Sequence, residues 1–146
     1  MKLRPAVEQD RDAILALLES ESLPTSDLDG RSLEHFIVAE DGASVVGCIG
    51  AEIHGATALL RSLVVGRSSR RAGLAGRLVR LLELQLPDRG VLDVWLLTID
   101  ADEYFLRHGY QVRSREDVPA EIRQTDEFSS LCPGSASLMH KSLRHA

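Results

Sequence analysis

The chain has 146 residues, of which 44% are hydrophobic and 27% charged, and its formal net charge at pH 7 is -5. This length and composition are typical of a folded globular protein and exclude a fibrous or intrinsically disordered chain. The negative charge argues against a nucleic-acid partner, because general nucleic-acid binders contact phosphate through clustered positive charge.

The first half of the chain predicts a helix followed by a group of strands. After a short strand at 2–4, residues 7–20 carry apolar side chains at helical spacing, with acidic residues on the other faces. A polar connection punctuated by Pro and Gly follows over 22–30. Runs rich in β-forming residues, separated by compact glycine turns, then predict consecutive antiparallel strands: 36–39, 44–53 and 58–65.

The second half alternates helices with strands. Leucines recur at helical spacing from Leu74 to Leu86, which predicts a long amphipathic helix that ends at 87–90. The apolar run 91–98 predicts a buried strand, parallel to the strand over 58–65 because a helix connects the two. The later elements are a short helix over 101–108 closed by Gly109, a strand from Tyr110, turn-rich residues 119–132 and a last strand over 135–143.

These elements predict an α/β (α+β) fold. The antiparallel run and the helical crossover imply a mixed, mainly antiparallel sheet of about six to seven strands with helices on both faces. Because the sequence contains no linker, repeat or low-complexity segment, we expect a single domain over residues 1–146.

The cysteines and the N-terminus indicate the compartment. Cys48 and Cys132 lie far apart and form no CxxC pair, so we expect neither a disulfide framework nor a metal site. The N-terminal residues lack the apolar core of a signal peptide, and no apolar run is long enough to span a bilayer. The sequence therefore predicts a cytoplasmic protein with no membrane partner.

The stretch 63–78 joins an apolar strand to an amphipathic helix through a glycine-bearing turn flanked by arginines. Small residues such as Gly73 and Ala75 let a ligand approach the backbone, while the first N–H groups of a helix have no intrahelical partner. Arg70 and Arg71 add guanidinium donors that suit phosphate oxygens. The turn therefore predicts a phosphate site at the start of the helix.

Two motifs specify this site further. Residues 70–75, Arg-Arg-Ala-Gly-Leu-Ala, open a helix after the fourth strand, and residues 101–110 form a short helix with aromatic side chains that ends at Gly-Tyr. Together they resemble the GCN5-related N-acetyltransferase (GNAT) superfamily, whose coenzyme signature is Gln/Arg-x-x-Gly-x-Gly/Ala. The resemblance implies an enzyme that moves an acetyl group from acetyl-CoA to the amine of a small molecule in a ternary complex.

The resemblance also implies where the coenzyme binds. Its pyrophosphate would lie on the N–H groups of 71–76, and its pantetheine arm between the strands that end at Val65 and Thr98, beside Phe105. The backbone amide of Leu63 would polarise the thioester carbonyl as an oxyanion-hole donor. The implied coenzyme-binding residues are Leu63, Val64, Val65, Arg70, Arg71, Ala72, Gly73, Leu74, Ala75, Gly76, Thr98 and Phe105.

The residues for proton transfer depart from the family pattern. Some members carry a glutamate base four residues before the position of Leu63 and a tyrosine acid in the second motif, where this chain has Leu59 and Phe105. Glu52 on the neighbouring strand is the predicted substitute base, with His54 behind it as a candidate for binding the substrate. The alternative is that Glu52 is an ordinary charge at a strand end.

The acceptor is the least determined part of the prediction. Arg61 lies within an apolar strand and either binds a substrate carboxylate or pairs with a carboxylate on an adjacent strand. Segments 60–65 and 125–136 are similar to a short branch of amino-acid and arsenic-resistance N-acetyltransferases, which implies a small, amino-acid-like acceptor. Because Leu59 and Phe105 lack the usual side chains, the alternative is a non-catalytic module that binds CoA or senses acyl-CoA. The protein is expected to be a monomer or a homodimer.

Overall fold

The computed structural model describes residues 1–23, 25, 33–67, 73–125, 128 and 136–144. The strands are β1 (Lys2–Pro5), β2 (Phe36–Asp41), β3 (Ser44–His54), β4 (Thr57–Val65), β5 (Asp93–Thr98), β6 (Gln111–Arg113) and β7 (Ser137–Ser142). The helices are α1 (Arg11–Ser20), α2 (Leu74–Gln85), α3 (Asp102–Arg107) and α4 (Ala120–Arg123). Short 3-10 turns lie at Glu8–Asp10, Leu86–Arg89 and Arg115–Asp117.

The described strands form a seven-stranded sheet in the order β1-β2-β3-β4-β5-β7-β6. The ladders β1–β2, β2–β3, β5–β7 and β7–β6 are antiparallel, and β4 pairs with β5 in parallel. The predicted α/β fold with a mixed, mainly antiparallel sheet is therefore confirmed. By their contacts the residues group into two compact units, Met1–Ala51 with Arg61–Gln85 and Glu52–Leu60 with Leu86–Ala146. The single domain stays a prediction.

In the first unit, α1 and α2 pack on opposite faces of the sheet. Ile14 and Leu18 of α1 form a core with Val38, Cys48 and Val64. Gly47, which precedes Cys48 in β3, lies on the opposite face of the sheet, because successive strand residues point to opposite faces. A Cβ built there would lie 3.4 Å from the Leu74 side chain of α2. Helices on both faces, as predicted, are thus present in this unit.

In the second unit, α4 covers one face and α3 the other. Ile122 of α4 packs with Leu59, Trp95 and Leu138 in a buried cluster. The alternate residues of β7 reach α3 instead, since Lys141 Nζ donates a 2.8 Å hydrogen bond to the last-turn carbonyl at His108. The sequence analysis missed α4 within its turn-rich stretch, because so short a helix is stabilised by burying Ile122 rather than by propensity.

Four predicted boundaries were wrong by two residues or more, and hydrogen bonds explain two of them. The first α-helix begins at Arg11 rather than at 7, because Asp10 N–H bonds to the Val7 carbonyl at 2.9 Å in a tighter 3-10 turn. Strand β5 begins at Asp93 rather than at 91, because Val91 N–H closes the preceding turn on the Leu86 carbonyl at 3.2 Å. Strand β2 ends at Asp41 rather than at 39, and β7 begins at Ser137 rather than at 135. The bounds of the other described elements lie within one residue of the prediction.

The predicted closure of α3 by Gly109 is confirmed. Gly109 has φ +90, and its N–H bonds to the Leu106 carbonyl at 3.1 Å, while Tyr110 N–H bonds to Phe105 O at 3.0 Å. This pair of bonds is a Schellman motif, which satisfies the last carbonyls of the helix. None of the helices in the described ranges is long and apolar enough to cross a membrane.

Candidate active site

The opening of α2, where the sequence predicts a phosphate site, begins at a left-handed glycine. Gly73 has φ +69, a left-handed conformation that glycine adopts without steric cost. A Cβ built on Gly73 would meet no atom of the described residues within 4 Å, so the space between it and those residues is open. The Gly73 carbonyl accepts from Arg77 N–H at 3.2 Å and starts the helical ladder. The N–H groups of the first turn therefore border an open space.

The neighbours of Gly73 differ in their exposure. Leu74 is fully buried and anchors α2 to the sheet, whereas Ala75 and Gly76 are half-buried. Small side chains at these two positions keep access to the first-turn amides open. The predicted ligands Arg70, Arg71 and Ala72 lie outside the described residues.

The end of β4 presents its backbone rather than its side chains. Val64 and Val65 are buried, Leu63 is half-buried, and Val64 belongs to the core beneath α1. A Cβ on Gly47 would lie 3.2 Å from the Val64 carbonyl, so a glycine in β3 permits close approach to this stretch. The recognition of a ligand by the main-chain groups of residues 63–65 stays a prediction.

Sequence reasoning missed the residue that precedes Leu63. Ser62 is buried and has φ +59, although it lies inside a strand and is not glycine. Its carbonyl accepts a hydrogen bond from Cys48 Sγ at 3.3 Å. Burial raises the pKa of the Cys48 thiol to about 12, so this cysteine stays protonated and is unsuited to act as a nucleophile. Serine carries no sequence signal for such a conformation.

Arg61 is almost fully buried, with 3% of its surface exposed. Its Nε–H donates a 3.0 Å hydrogen bond to Ser62 Oγ. The two alternatives that the sequence left open, a substrate carboxylate or a carboxylate on an adjacent strand, did not include this partner.

Glu52 and His54 lie close together at the end of β3. Glu52 Oε1 is 3.8 Å from His54 Nε2, and the two side chains are 17% and 35% exposed. In the part of the chain that the structure describes, His54 Nε2 is enclosed without a hydrogen-bond partner. Because His54 Nε2 is enclosed, the Glu52 carboxylate is the group of this pair that could contact an ammonium or amine group.

The β3–β4 turn explains how Glu52 comes to lie next to the position of Leu59. Gly55, with φ +64, is the first residue of a two-residue turn, as in type II′ hairpins. Such a turn pairs His54 with Thr57, and counting two residues back along each strand sets Glu52 opposite Leu59. Since Leu59 is fully buried beside Trp95, a carboxylate on β3 lies nearer to solvent than one at Leu59 would.

Thr98 and Phe105 take part in local structure within the second unit. Thr98 Oγ1 accepts a 3.0 Å hydrogen bond from Ala101 N–H and so leads the chain into α3. Phe105 is buried and packs edge-on against Tyr104 and Tyr110, at centroid distances of 5.3 and 5.5 Å. The contact of either residue with the coenzyme stays a prediction.

No group of three or more His, Cys, Asp or Glu side chains among the described residues is arranged to hold a metal ion.

In comparisons with known proteins, both the sequence and the fold are similar to those of N-acetyltransferases. A family model for the acetyltransferase (GNAT) domain matches residues 32–112, more than half of the chain. An uncharacterised N-acetyltransferase from Chlorobaculum tepidum is 33% identical over 94 residues, which are 62% of this chain and 60% of that protein. The chain thus spans less than two thirds of this relative's length.

Two solved structures share the fold. N-acetylglutamate synthase from Neisseria gonorrhoeae, complexed with coenzyme A and N-acetyl-glutamate, has TM-score 0.85 at 18% identity, covering 99% of this chain and 35% of that chain. Rv2747 from Mycobacterium tuberculosis, in complex with CoA, has TM-score 0.82 at 22% identity, covering 97% of this chain and 99% of that chain. Together with the family match, these findings show that the chain belongs to the GNAT acetyltransferase family.

Proposed function

We propose that this protein is an N-acetyltransferase that transfers the acetyl group of acetyl-CoA directly to the amine of a small molecule in a ternary complex. The observation that carries the proposal is the left-handed Gly73 at the opening of α2, with open space beside it, in a chain of the GNAT acetyltransferase family. The two solved structures with the same fold each contain coenzyme A.

The coenzyme would be held mainly by backbone groups. The first-turn N–H groups of α2, from Leu74 to Gly76, point at an anion placed beside Gly73, and the helix dipole favours its charge. By sequence, Arg70 and Arg71 would add charge-assisted hydrogen bonds to the phosphates. The pantetheine arm would lie along the main chain of β4 at 63–65 and add to it like a strand.

The chemistry needs a base, an oxyanion donor and a leaving group. The amine nitrogen attacks the acetyl carbonyl carbon, and the negative oxygen of the tetrahedral intermediate accepts from Leu63 N–H. Glu52 takes the amine proton, directly or through water, with His54 beside it. The carbon–sulfur bond then breaks and CoA leaves as a thiolate, which is stable enough to need no tyrosine at the Phe105 position.

We propose a small, amino-acid-like acceptor. The Glu52 carboxylate suits an ammonium group, and N-acetylglutamate synthase, a protein of the same fold, was solved with an acetylated amino acid. Membership of the amino-acid and arsenic-resistance branch, a cytoplasmic location and a monomeric or homodimeric state stay predictions.

The second candidate is a module that binds CoA or senses acyl-CoA without catalysis. Its support is the apolar side chains of Leu59 and Phe105, both buried, where the family pattern has proton-transfer groups. This reading keeps the coenzyme site at α2 and removes the acetyl transfer.

Turnover separates the two candidates. The purified protein is incubated with acetyl-CoA and a panel of amino acids, polyamines and aryl amines, and both free thiol and acetylated product are measured. We expect thiol release that depends on the amine and matches the amount of acetylated product. Tight CoA binding with no transfer to any amine would favour the module, and absence of CoA binding would contradict both candidates.

A further inference from the structure

We infer that Cys48 and Arg61 are positioning residues that hold Ser62 and thereby aim the backbone N–H of Leu63. This inference rests on the proposed function, in which that N–H is the oxyanion donor. Cys48 and Arg61 would then orient the peptide group between Ser62 and Leu63, in addition to packing in the interior.

Ser62 needs an outside hold because its conformation is unfavourable. A non-glycine residue at φ +59 is strained, because its Cβ crowds the following carbonyl oxygen, and left-handed residues are rare within strands. Within the described ranges the only other such residue is Ser22, which is exposed just after the end of α1. Ser62, in contrast, is buried in the middle of β4.

Arg61 makes the first of two hydrogen bonds that restrain Ser62. Its Nε–H donates to Ser62 Oγ at 3.0 Å, and the arginine is 3% exposed. A guanidinium keeps its protons at any physiological pH and its hydrogen bonds are charge-assisted, so this donor is always available. The bond ties the Ser62 side chain to the residue before it and so restrains the backbone between them.

Cys48 makes the second hydrogen bond, to the peptide group between Ser62 and Leu63. Its thiol donates to the Ser62 carbonyl at 3.3 Å. The Ser62 carbonyl and the Leu63 N–H belong to one planar trans peptide, in which they point in opposite directions. A hydrogen bond that fixes the carbonyl therefore fixes the direction of the N–H, and it also polarises the peptide so that the N–H donates more strongly.

The protonation state of Cys48 fits this role. Burial among apolar side chains raises its pKa to about 12, so the thiol keeps the hydrogen that it donates. A thiolate would place negative charge against the carbonyl oxygen and release the peptide. The same burial that makes Cys48 a poor nucleophile makes it a dependable donor.

A pair of substitutions at Cys48 separates donation from packing. Cys48→Ser keeps a donor, whereas Cys48→Ala removes it. We expect Cys48→Ala to lower kcat for acetyl transfer about tenfold with KM for acetyl-CoA nearly unchanged, since oxyanion contacts act in the transition state. Cys48→Ser should keep kcat within about twofold. Equal kcat in Cys48→Ala and the wild type would overturn the inference.

Val38→Ala is the matched control for lost packing. Val38 is the cross-strand partner of Cys48 and lies in the same core cluster. It should lower the melting temperature at least as much as Cys48→Ala without lowering kcat. If both variants lose kcat in proportion to stability, Cys48 is a packing residue and the inference fails.

Ser62→Ala tests the arginine hold, since it removes only the acceptor oxygen. We expect a smaller fall in kcat, about threefold, because the Cys48 bond remains. An unchanged kcat would show that the hydrogen bond from Arg61 does not help to orient the Leu63 N–H.

Amide spectroscopy tests the peptide group without any turnover. In 1H–15N spectra we expect the Leu63 amide proton to move upfield in Cys48→Ala and to keep its position in Cys48→Ser. If the wild type transfers no acetyl group but the Leu63 amide shifts as expected in the two variants, the orientation of this amide by Cys48 is supported and the proposed function fails. An unmoved Leu63 amide in Cys48→Ala overturns the inference whatever the activity.

Discussion

The opening of α2 and the end of β3 present different kinds of chemical group. At α2 the groups are backbone N–H donors beside a left-handed glycine, and the side chains are small or buried. At the end of β3 the groups are side chains, since a carboxylate and an imidazole lie 3.8 Å apart at Glu52 and His54. Backbone groups are set by the fold, whereas side-chain groups change with single substitutions.

This difference explains why the donor is easier to assign than the acceptor. A helix start that needs a glycine and small neighbours leaves a pattern in the sequence, while an amine can be bound and deprotonated by many side-chain arrangements. The family's coenzyme pattern is therefore kept at Gly73, while the acid–base positions at Leu59 and Phe105 have changed.

The largest effect is expected at the backbone region. Gly73→Glu should abolish CoA binding, because it strains a left-handed position and puts a negative side chain into the open space where the pyrophosphate would lie. Isothermal titration with CoA measures the loss. Gly42→Glu is the matched control, since Gly42 has φ +63 and equally open surroundings in the β2–β3 turn. Equal losses in both variants would contradict the placement.

A smaller effect is expected at the side-chain region. Glu52→Gln should lower kcat/KM about a hundredfold, since a positioned base contributes that much, while CoA affinity is unchanged. Glu116→Gln, an exposed carboxylate on the 3-10 turn after β6, is the control. If the pH profile of kcat/KM for Glu52→Gln is identical to that of the wild type, Glu52 is not the base. The pH profile of His54→Gln, measured in the same way, shows whether the imidazole takes part in the proton transfer.

An ion pair outside both regions should affect stability alone. Arg4 binds Asp10 through two hydrogen bonds of 2.8 and 2.9 Å, and this guanidinium lowers the pKa of the buried Asp10 carboxyl. Because the folded-state pKa is lowered, the pair stabilises the protein above about pH 4 and the contribution is lost as the pH falls further.

Asp10→Asn should therefore cost about 2 kcal/mol at neutral pH and less in acid, with kcat unchanged. Urea unfolding at several pH values measures the cost. Glu8→Gln, which removes an exposed carboxylate paired with Arg11, should change the stability much less, because solvent screens that pair. A cost for Asp10→Asn that does not shrink in acid would contradict the assignment.

The smallest effect is expected from thiol chemistry. Because burial raises the pKa of Cys48 to about 12, iodoacetamide at pH 8 should leave the Cys48 peptide unmodified in the folded protein and alkylate it in urea. Peptide mass spectrometry measures the modification at this cysteine separately from Cys132. Rapid alkylation of Cys48 in the folded state would contradict its burial.

The features that the sequence predicted correctly depend on local signals. The leucine spacing of α2 and the glycine cap at 109 determine structure within a few residues, and the structure gives Gly109 the predicted left-handed conformation. Ser62 was not predictable, because its conformation depends on hydrogen bonds from Arg61 and from Cys48 on another strand. The hydrogen bond from Arg61 to the Ser62 hydroxyl could not be predicted from the sequence for the same reason.

The central claim is that the backbone at the opening of α2 binds the coenzyme pyrophosphate. The most direct measurement is a 1H–15N titration with CoA and, separately, with pantetheine, which lacks the pyrophosphate. We predict that CoA shifts the amide signals of Gly73 to Gly76, that pantetheine leaves them in place, and that both shift those of Leu63 to Val65. Unmoved α2 amides with saturating CoA, or equal shifts with pantetheine, would contradict the account.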